Sequence, residues 1–363
     1  RSVTTQFDSG AGRVSFRDCA VAPMTAVLAR NDFLRAPLLA TARPAGYKEW
    51  HHFVVHGRGV RILINFSLAN EGFDADAVRL VPRVIVIAHD ENWTGAIERF
   101  DERAVDVSAD LGELTIGGNQ MSITPDGYCV AIDLPDKDIR GQLQFTSASQ
   151  PFVVRNQPLG DGRINWLFVP RLRAEGWLRI NGQEHRMEDD LAYHDHNWGR
   201  FWWGGDFGWT WGTILPTGSA DPWSMVFMQT TDRSRLRCLS QALYLWHNDE
   251  PAAIFRHAAV QTRSNGVLKR AADCTLPPPM RLLLDGAVPG VPERFDITAT
   301  RGGDSLHAEF RSHSYARLAQ PSEVCLDRST VLCETSGTAR VSGSINGEDV
   351  DFVGTGVFEF FHG

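Results

Sequence analysis

Residues 187–200 read Met187-Glu188-Asp189-Asp190-Leu191-Ala192-Tyr193-His194-Asp195-His196-Asn197-Trp198-Gly199-Arg200. The stretch just before them ends in a hairpin: residues 177–180 and 183–187 flank Asn181-Gly182, a pair that adopts the positive φ angles of a type I′ turn. Residues 187–200 are therefore expected to form a strand of an antiparallel sheet. Side chains alternate across a strand, so Tyr193, Asp195 and Asn197 share one face while His194, His196 and Trp198 share the other. This many ionisable and amide groups exceeds what a structural strand needs. One face is expected to look into a cavity and the other outward or into a sheet interface.

Working outward, the same pattern recurs. Residues 53–55 and 60–66 read as a hairpin across His56-Gly57-Arg58-Gly59, and residues 84–88, 114–116, 120–124, 128–134 and 141–146 continue the series. Gly117-Gly118-Asn119, Pro125-Asp126-Gly127 and Pro135-Asp136-Lys137 supply turns. Beyond the opening stretch come residues 207–214, 224–230, 242–246, 253–257, 295–299, 306–310, 339–345 with an Asn346-Gly347 turn, and 354–361. Short alternating strands at this spacing signal a sandwich or barrel. Residues 91–104 are the one stretch with helical amphipathic character. Residues 276–279 and 288–292 are Pro-rich loops within the second half, and no period of 20–50 residues suggests a solenoid or propeller.

At 363 residues the chain can bury a sizeable core and fits two domains, which we place at 1–185 and 186–363. A net charge of -8 argues against a surface that tracks phosphates, so no nucleic-acid partner is expected. No apolar run approaches the length of a membrane span, and residues 1–12 lack the apolar core of a signal peptide. Six cysteines without a C-x-x-C pair read as reduced thiols in a cytoplasmic protein. Eleven Trp and twenty Phe are the unusual feature. Trp198, Trp202, Trp203, Trp209, Trp211 and Trp223 crowd one stretch, as the lining of a large apolar pocket or the filling of a large β core.

Asp195 is the chemical centre of the opening stretch. A carboxyl facing an apolar space keeps its proton toward neutral pH, which suits a general acid. Tyr193 and Asn197 would orient it by hydrogen bonds, with a buried polar network as the purely structural alternative. His194 and His196 could share a zinc ion, but spacing supplies no third ligand, so no metal is expected. Neither a G-x-S-x-G elbow nor a Gly-rich phosphate loop occurs, so the chemistry is expected to need no cofactor.

Tyr193-His194-Asp195-His196-Asn197-Trp198-Gly199 resembles the signature strand of the superfamily of carotenoid 1,2-hydratases, AttH-like and kievitone-hydratase-like proteins and lipocalin-like cyclases. Glu49-Trp50-His51-His52-Phe53 resembles its early E-W-W-[YH]-[FY] strand, with His51 replacing the second Trp. The resemblance extends weakly through Ile116-Gly117-Gly118-Asn119, Gly127-Tyr128, Gly141-Gln142-Leu143, residues 170–182 and residues 337–356. It implies an all-β fold of two lipocalin-like antiparallel barrels with a cavity at or between them, and catalytic roles for Tyr193 and Asp195. A His-x-Trp of the hydratases falls at Ile164-Asn165-Trp166, where only the Trp is kept, which points away from carotenoids and toward the broader cyclase and hydratase branches.

The leading expectation is a cofactor-free hydratase or cyclase that protonates a double bond of a large isoprenoid or polyene. Asp195, Tyr193, His194 and Asn197 are the catalytic candidates. Trp50, Glu49, Trp166, His196, Trp198 and Trp211 are the substrate-binding candidates, the aromatic faces of Trp50, Trp166 and Trp211 stabilising a carbocation. A pericyclase or isomerase of a polyketide-derived polyene, and a non-catalytic lipid or pigment carrier, are the other readings. A lipophilic substrate implies peripheral membrane contact, though no amphipathic helix supplies it. Oligomeric state is not legible in the sequence.

Overall fold

The computed structural model describes residues 32–36, 44–71, 78–268, 290–325 and 328–362. Cys19, Cys274, residues 1–12 and 276–279, and part of 288–292 lie outside them. Of the cysteines described, Cys129, Cys238 and Cys333 are free thiols.

Among the described residues, twenty-one strands form two antiparallel sheets. The first contains β1 (Tyr47–Gly57), β2 (Val60–Glu71), β3 (Arg79–His89), β4 (Trp93–Arg99), β5 (Val105–Val107), β6 (Glu113–Ile116), β7 (Asn119–Thr124), β8 (Gly127–Leu134), β9 (Ile139–Ser147), β10 (Phe152–Leu159), β11 (Gly162–Ile180) and β12 (Gln183–Arg200). Their order is β4-β3-β2-β1-β12-β11-β9-β8-β7-β6-β5, with β10 also paired to β11. The second contains β13 (Gly208–Pro216), β14 (Trp223–Thr231), β15 (Cys238–His247), β16 (Glu250–Arg256), β17 (Val260–Asn265), β18 (Arg294–Arg301), β19 (Asp304–Pro321), β20 (Ser329–Ile345) and β21 (Glu348–His362). Their order is β16-β15-β14-β13-β21-β20-β19-β18-β17. The fold class follows the sequence reading, and the strands it named lie within observed strands to within a residue, whereas β4, β5, β10 and β17 were not among them. The change of sheet comes at residues 201–207, so a division after residue 185 falls inside β12.

The local reasons are those of alternation and turn chemistry. In β9, Ile139, Gly141, Leu143 and Phe145 are buried while Arg140, Gln142, Gln144 and Thr146 are exposed, so one face packs and the other meets water. By contrast β13 is buried along its whole length, because both of its faces are covered. Asn181 and Gly182 have φ of 50° and 78°, as the type I′ hairpin requires.

The helical expectation for residues 91–104 fails. Residues 93–99 form β4, paired to β3, and only Glu102–Ala104 make a single 3-10 turn. Trp93 is buried, and at Gly95 (φ +137°) an added Cβ would stand 2.1 Å from the carbonyl oxygen of Val86. Tertiary pairing with β3 overrides the weak local helical pattern.

Among the described residues, three apolar clusters result. The first sheet curls around one that includes Phe53, Tyr128 and Phe145, and the second around one that includes Phe227, Phe295 and Phe358. The third lies between the sheets and joins Tyr193, Phe168 and Trp166 to Trp209, Trp211 and Phe361. Alternation splits β1 between two of them: Phe53 and Val55 enter the first, and Val54 enters the third. Among the described residues, no helix is long and apolar enough to cross a membrane.

Candidate active site between the sheets

β12 runs between β1 and β11 within the first sheet, and residues 191–197 are buried without a break, so both faces are covered along that part of the strand. Tyr193, Asp195 and Asn197 face the second sheet. The Tyr193 hydroxyl donates to Asp195 Oδ2 at 2.9 Å, and Asn197 Nδ2 donates to Asp195 Oδ1 at 2.6 Å. Trp211 Nε1 on β13 donates to the Tyr193 oxygen at 3.3 Å, tying the trio to the opposite wall. Burial pushes the Asp195 carboxyl well above the usual carboxylate range, and the facing Glu359 carboxyl adds to the shift, more than its hydrogen-bond donors offset.

Asp195 and Asn197 line a niche of about 30 Å³, walled also by Trp50, Trp166, Trp211 and Glu359. That volume admits a water molecule. Trp50, His52, Trp209 and Glu359 are shared between this niche and an adjoining cavity of about 420 Å³. The larger cavity is walled mostly by apolar side chains, among them Leu63, Ile85, Ile87, Leu318, Leu332 and Phe361. Its size falls within the range of small-molecule sites. Of the sequence candidates, Asp195, Tyr193, Asn197, Trp50, Trp166 and Trp211 are brought together here.

His194, His196 and Glu49 are not. They point into the first sheet's own interior, around Asp32. His194 Nε2 lies 3.1 Å from Asp32 Oδ2, and His196 bridges Asp32 Oδ1 at 2.6 Å and Glu49 Oε1 at 2.8 Å. Tyr128 donates to Asp32 and Tyr47 to Glu49. Burial disfavours charge on His196, but Asp32 and Glu49 outweigh it and raise its pKa. Burial acts to raise the two carboxyls, yet His196 and His194 hold Asp32 below the usual range, and His196, the Arg35 backbone N–H and the Tyr47 hydroxyl hold Glu49 below it. Trp198 is half-buried at the edge of this network, its ring 5.0 Å from that of His196, and the Arg35 guanidinium stacks 3.5 Å from its centroid.

Three site residues were not among the candidates: Glu334 and Glu359 carry no signal in the sequence, and His52 stands in the early strand motif without a role assigned to it. Glu334 and Glu359 are cross-strand partners on β20 and β21, separated from Asp195 by well over a hundred residues. Their side chains hydrogen-bond to each other, and Trp209 Nε1 donates to Glu359 at 3.0 Å. Burial raises both carboxyls, Glu334 the further, as expected when two close carboxyls share a proton. His52 is the strand partner of Asp195, and burial pushes its imidazole down to about 3, so it is neutral. The early strand motif singled out Trp50 two residues away, but nothing local marked His52 as facing the acids.

Two groups of metal-ligand type occur among the described residues: Asp32 with His51 and His196, and His52 with Glu334 and Glu359. In the first, Asp32 and His196 are hydrogen-bonded to each other, and in the second the two carboxyls are.

No protein-family model matches the chain, and no curated protein sequence matches it. Solved structures do. An AttH-type protein from Nitrosomonas europaea superposes with a TM-score of 0.60 at 13% identity, over 87% of this chain and 92% of that one. Kievitone hydratase from Nectria haematococca gives 0.54 at 11% identity, over 87% and 89%. CghA, in a crystal structure with Sch210972, gives 0.56 at 12% identity, over 87% and 88%. At these identities the likeness is one of architecture: the chain has the lipocalin-like fold of the AttH, kievitone hydratase and CghA structures.

Proposed function

We propose that the protein is a hydratase or cyclase that protonates a carbon–carbon double bond of a hydrophobic isoprenoid or polyene, with Asp195 as the acid. The observation that carries this reading is a fully buried carboxyl, oriented by Tyr193 and Asn197, at the wall of a water-sized niche opening beside an apolar cavity. The Asp195 O–H bond breaks as the proton goes to one alkene carbon, leaving the cation on the other. The π faces of Trp50, Trp166 and Trp211 stabilise positive charge there. Water captures the cation in a hydration and an internal nucleophile captures it in a cyclisation. Glu359 stands on the facing wall to take up the proton released. Two of the structures sharing this fold are named for a hydratase and for a protein crystallised with Sch210972, which agrees with a site for a sizeable organic substrate.

The test is incubation of wild type and Asp195→Asn with a mixed prenyl and polyene extract in D₂O, followed by mass spectrometry. A product with one new deuterium, absent with the variant, supports the mechanism. Turnover without deuterium replaces it with a pericyclic closure, and binding without turnover in either protein replaces it with a carrier.

A further inference from the structure

The wall of the 420 Å³ cavity is mostly apolar, with neutral polar side chains such as Asn65, Ser67 and Thr330 among it and ionisable groups in two clusters. One holds His52, Glu334 and Glu359. The other holds Lys48, Arg83 and Arg99, and among the described residues the ion pairs there give three cations two carboxylates. Lys48 pairs with Glu323 at 2.8 Å. Arg83 and Arg99 both pair with Glu71, Arg99 at 3.3 Å, so two guanidiniums share one carboxylate. The further polar contact to Glu71 is Gln320 Nε2, another donor, at 3.5 Å.

Arg83 and Arg99 are direct cross-strand partners on β3 and β4. Like charges so placed repel, and the Arg83 side chain is only 10% exposed, so solvent screens it poorly. A second anion beside Glu71 removes that repulsion, and the planar guanidinium fork matches a carboxylate or a phosphate.

The register relates this cluster to Asp195. Arg99, Arg83, Ser67, Trp50 and Asn197 lie side by side in one row across β4, β3, β2, β1 and β12, all on the face toward the second sheet. At about 4.8 Å per strand, Arg83 lies ~14 Å and Arg99 ~19 Å from Asn197 along the row. A carbon chain of roughly ten to fifteen atoms spans that distance, given bonds of about 1.5 Å in zigzag.

We infer that Arg83 and Arg99 form an anion site for the head group of an amphiphilic substrate, a carboxylate or phosphate, whose unsaturated chain runs along the cavity to the Asp195 niche. Which end reacts rests on the function proposed above; the head-group site does not. The substrate class narrows from a plain hydrocarbon to a polyene or prenyl acid, or its phosphate ester.

The test compares all-trans-retinoic acid, retinyl phosphate and all-trans-retinol, which share one polyene and differ in the head, by quenching of tryptophan fluorescence at low salt. Wild type should bind at least one anionic form tenfold or more tightly than the alcohol, and which one is tighter distinguishes carboxylate from phosphate. The preference should fall to within about twofold in Arg99→Gln, an exposed position that leaves the fold intact, and in Arg83→Gln, whose folding is checked by circular dichroism. Asp195→Asn should keep the preference, which separates failure of this site from failure of the proton-donor reading. Equal binding of all three, a preference untouched by both arginine variants, or no binding of any retinoid overturns the inference.

Discussion

The Tyr193 hydroxyl and the Asp195 carboxyl, two residues apart on one strand, are joined by a 2.9 Å hydrogen bond on the face of β12 that meets the second sheet. The tyrosine oxygen in turn accepts from Trp211 on that sheet, so the carboxyl's orientation depends on the docking of both sheets. Tyr193→Phe should therefore lower turnover by about 10- to 100-fold while leaving substrate affinity within a few-fold. Asp195→Asn should remove activity by at least the roughly 10²- to 10⁴-fold that a positioned acid supplies. Steady-state kinetics on the product found in the deuterium experiment checks both, and equal activity of Tyr193→Phe and wild type would show that the hydroxyl does not position the acid.

The pH dependence of stability follows from the same burial. The Asp195 carboxyl is raised in the folded protein and ordinary, near 3.8, in the unfolded chain. Above that value the unfolded chain loses a proton that the folded protein retains, so stability falls as pH rises until the folded group also ionises. Asp195→Asn removes this loss. Its melting temperature should be higher than that of wild type at pH 8, by roughly 1–2 °C for each kcal/mol recovered, with the gap closing toward pH 4. Thermal unfolding at the two pH values checks the sign.

Around Asp32 two opposite signs meet: raised His196 follows the sign of Asp195, and the lowered carboxyls run against it. The raised His196 contributes stability that is present below its ordinary value of 6.5 and lost as pH rises through its folded value. Lowered Asp32 and Glu49 contribute stability present above 3.8 and 4.5 and lost as pH falls through their folded values. His196→Ala leaves two buried carboxylates without their shared cation and should destabilise the protein by about 3–5 kcal/mol. Urea unfolding at neutral pH measures this, and a loss below about 1 kcal/mol would mean that the carboxyls are not charged there.

Gly95 tests the close approach of β4 to β3. An alanine Cβ would meet the Val86 carbonyl oxygen at 2.1 Å and would sit at φ +137°. Gly95→Ala should cost of order 1–3 kcal/mol, the usual scale for backbone strain. Because Arg99 lies on the same strand, retinoid head-group preference should weaken in parallel with stability.

The sequence alone determined the local features of this protein. Period-two alternation and paired turn residues such as Asn181-Gly182 fix strands and hairpins because they act over two to six residues, whatever the rest of the chain does. The same alternation separated Tyr193, Asp195 and Asn197 from His194, His196 and Trp198. It could not say which set meets a cavity, because β12 is covered on both faces along residues 191–197 and each set is buried there among partners from elsewhere. His194 and His196 are answered by Asp32, more than 160 residues away. Asp195 is answered by Glu359 from the last strand, and Arg83 is set beside Arg99 by the β3–β4 register. These are decisions of the tertiary structure: the register between strands and the docking of one sheet on another create the desolvation and the charge pairs that turn an alternating pattern into a site.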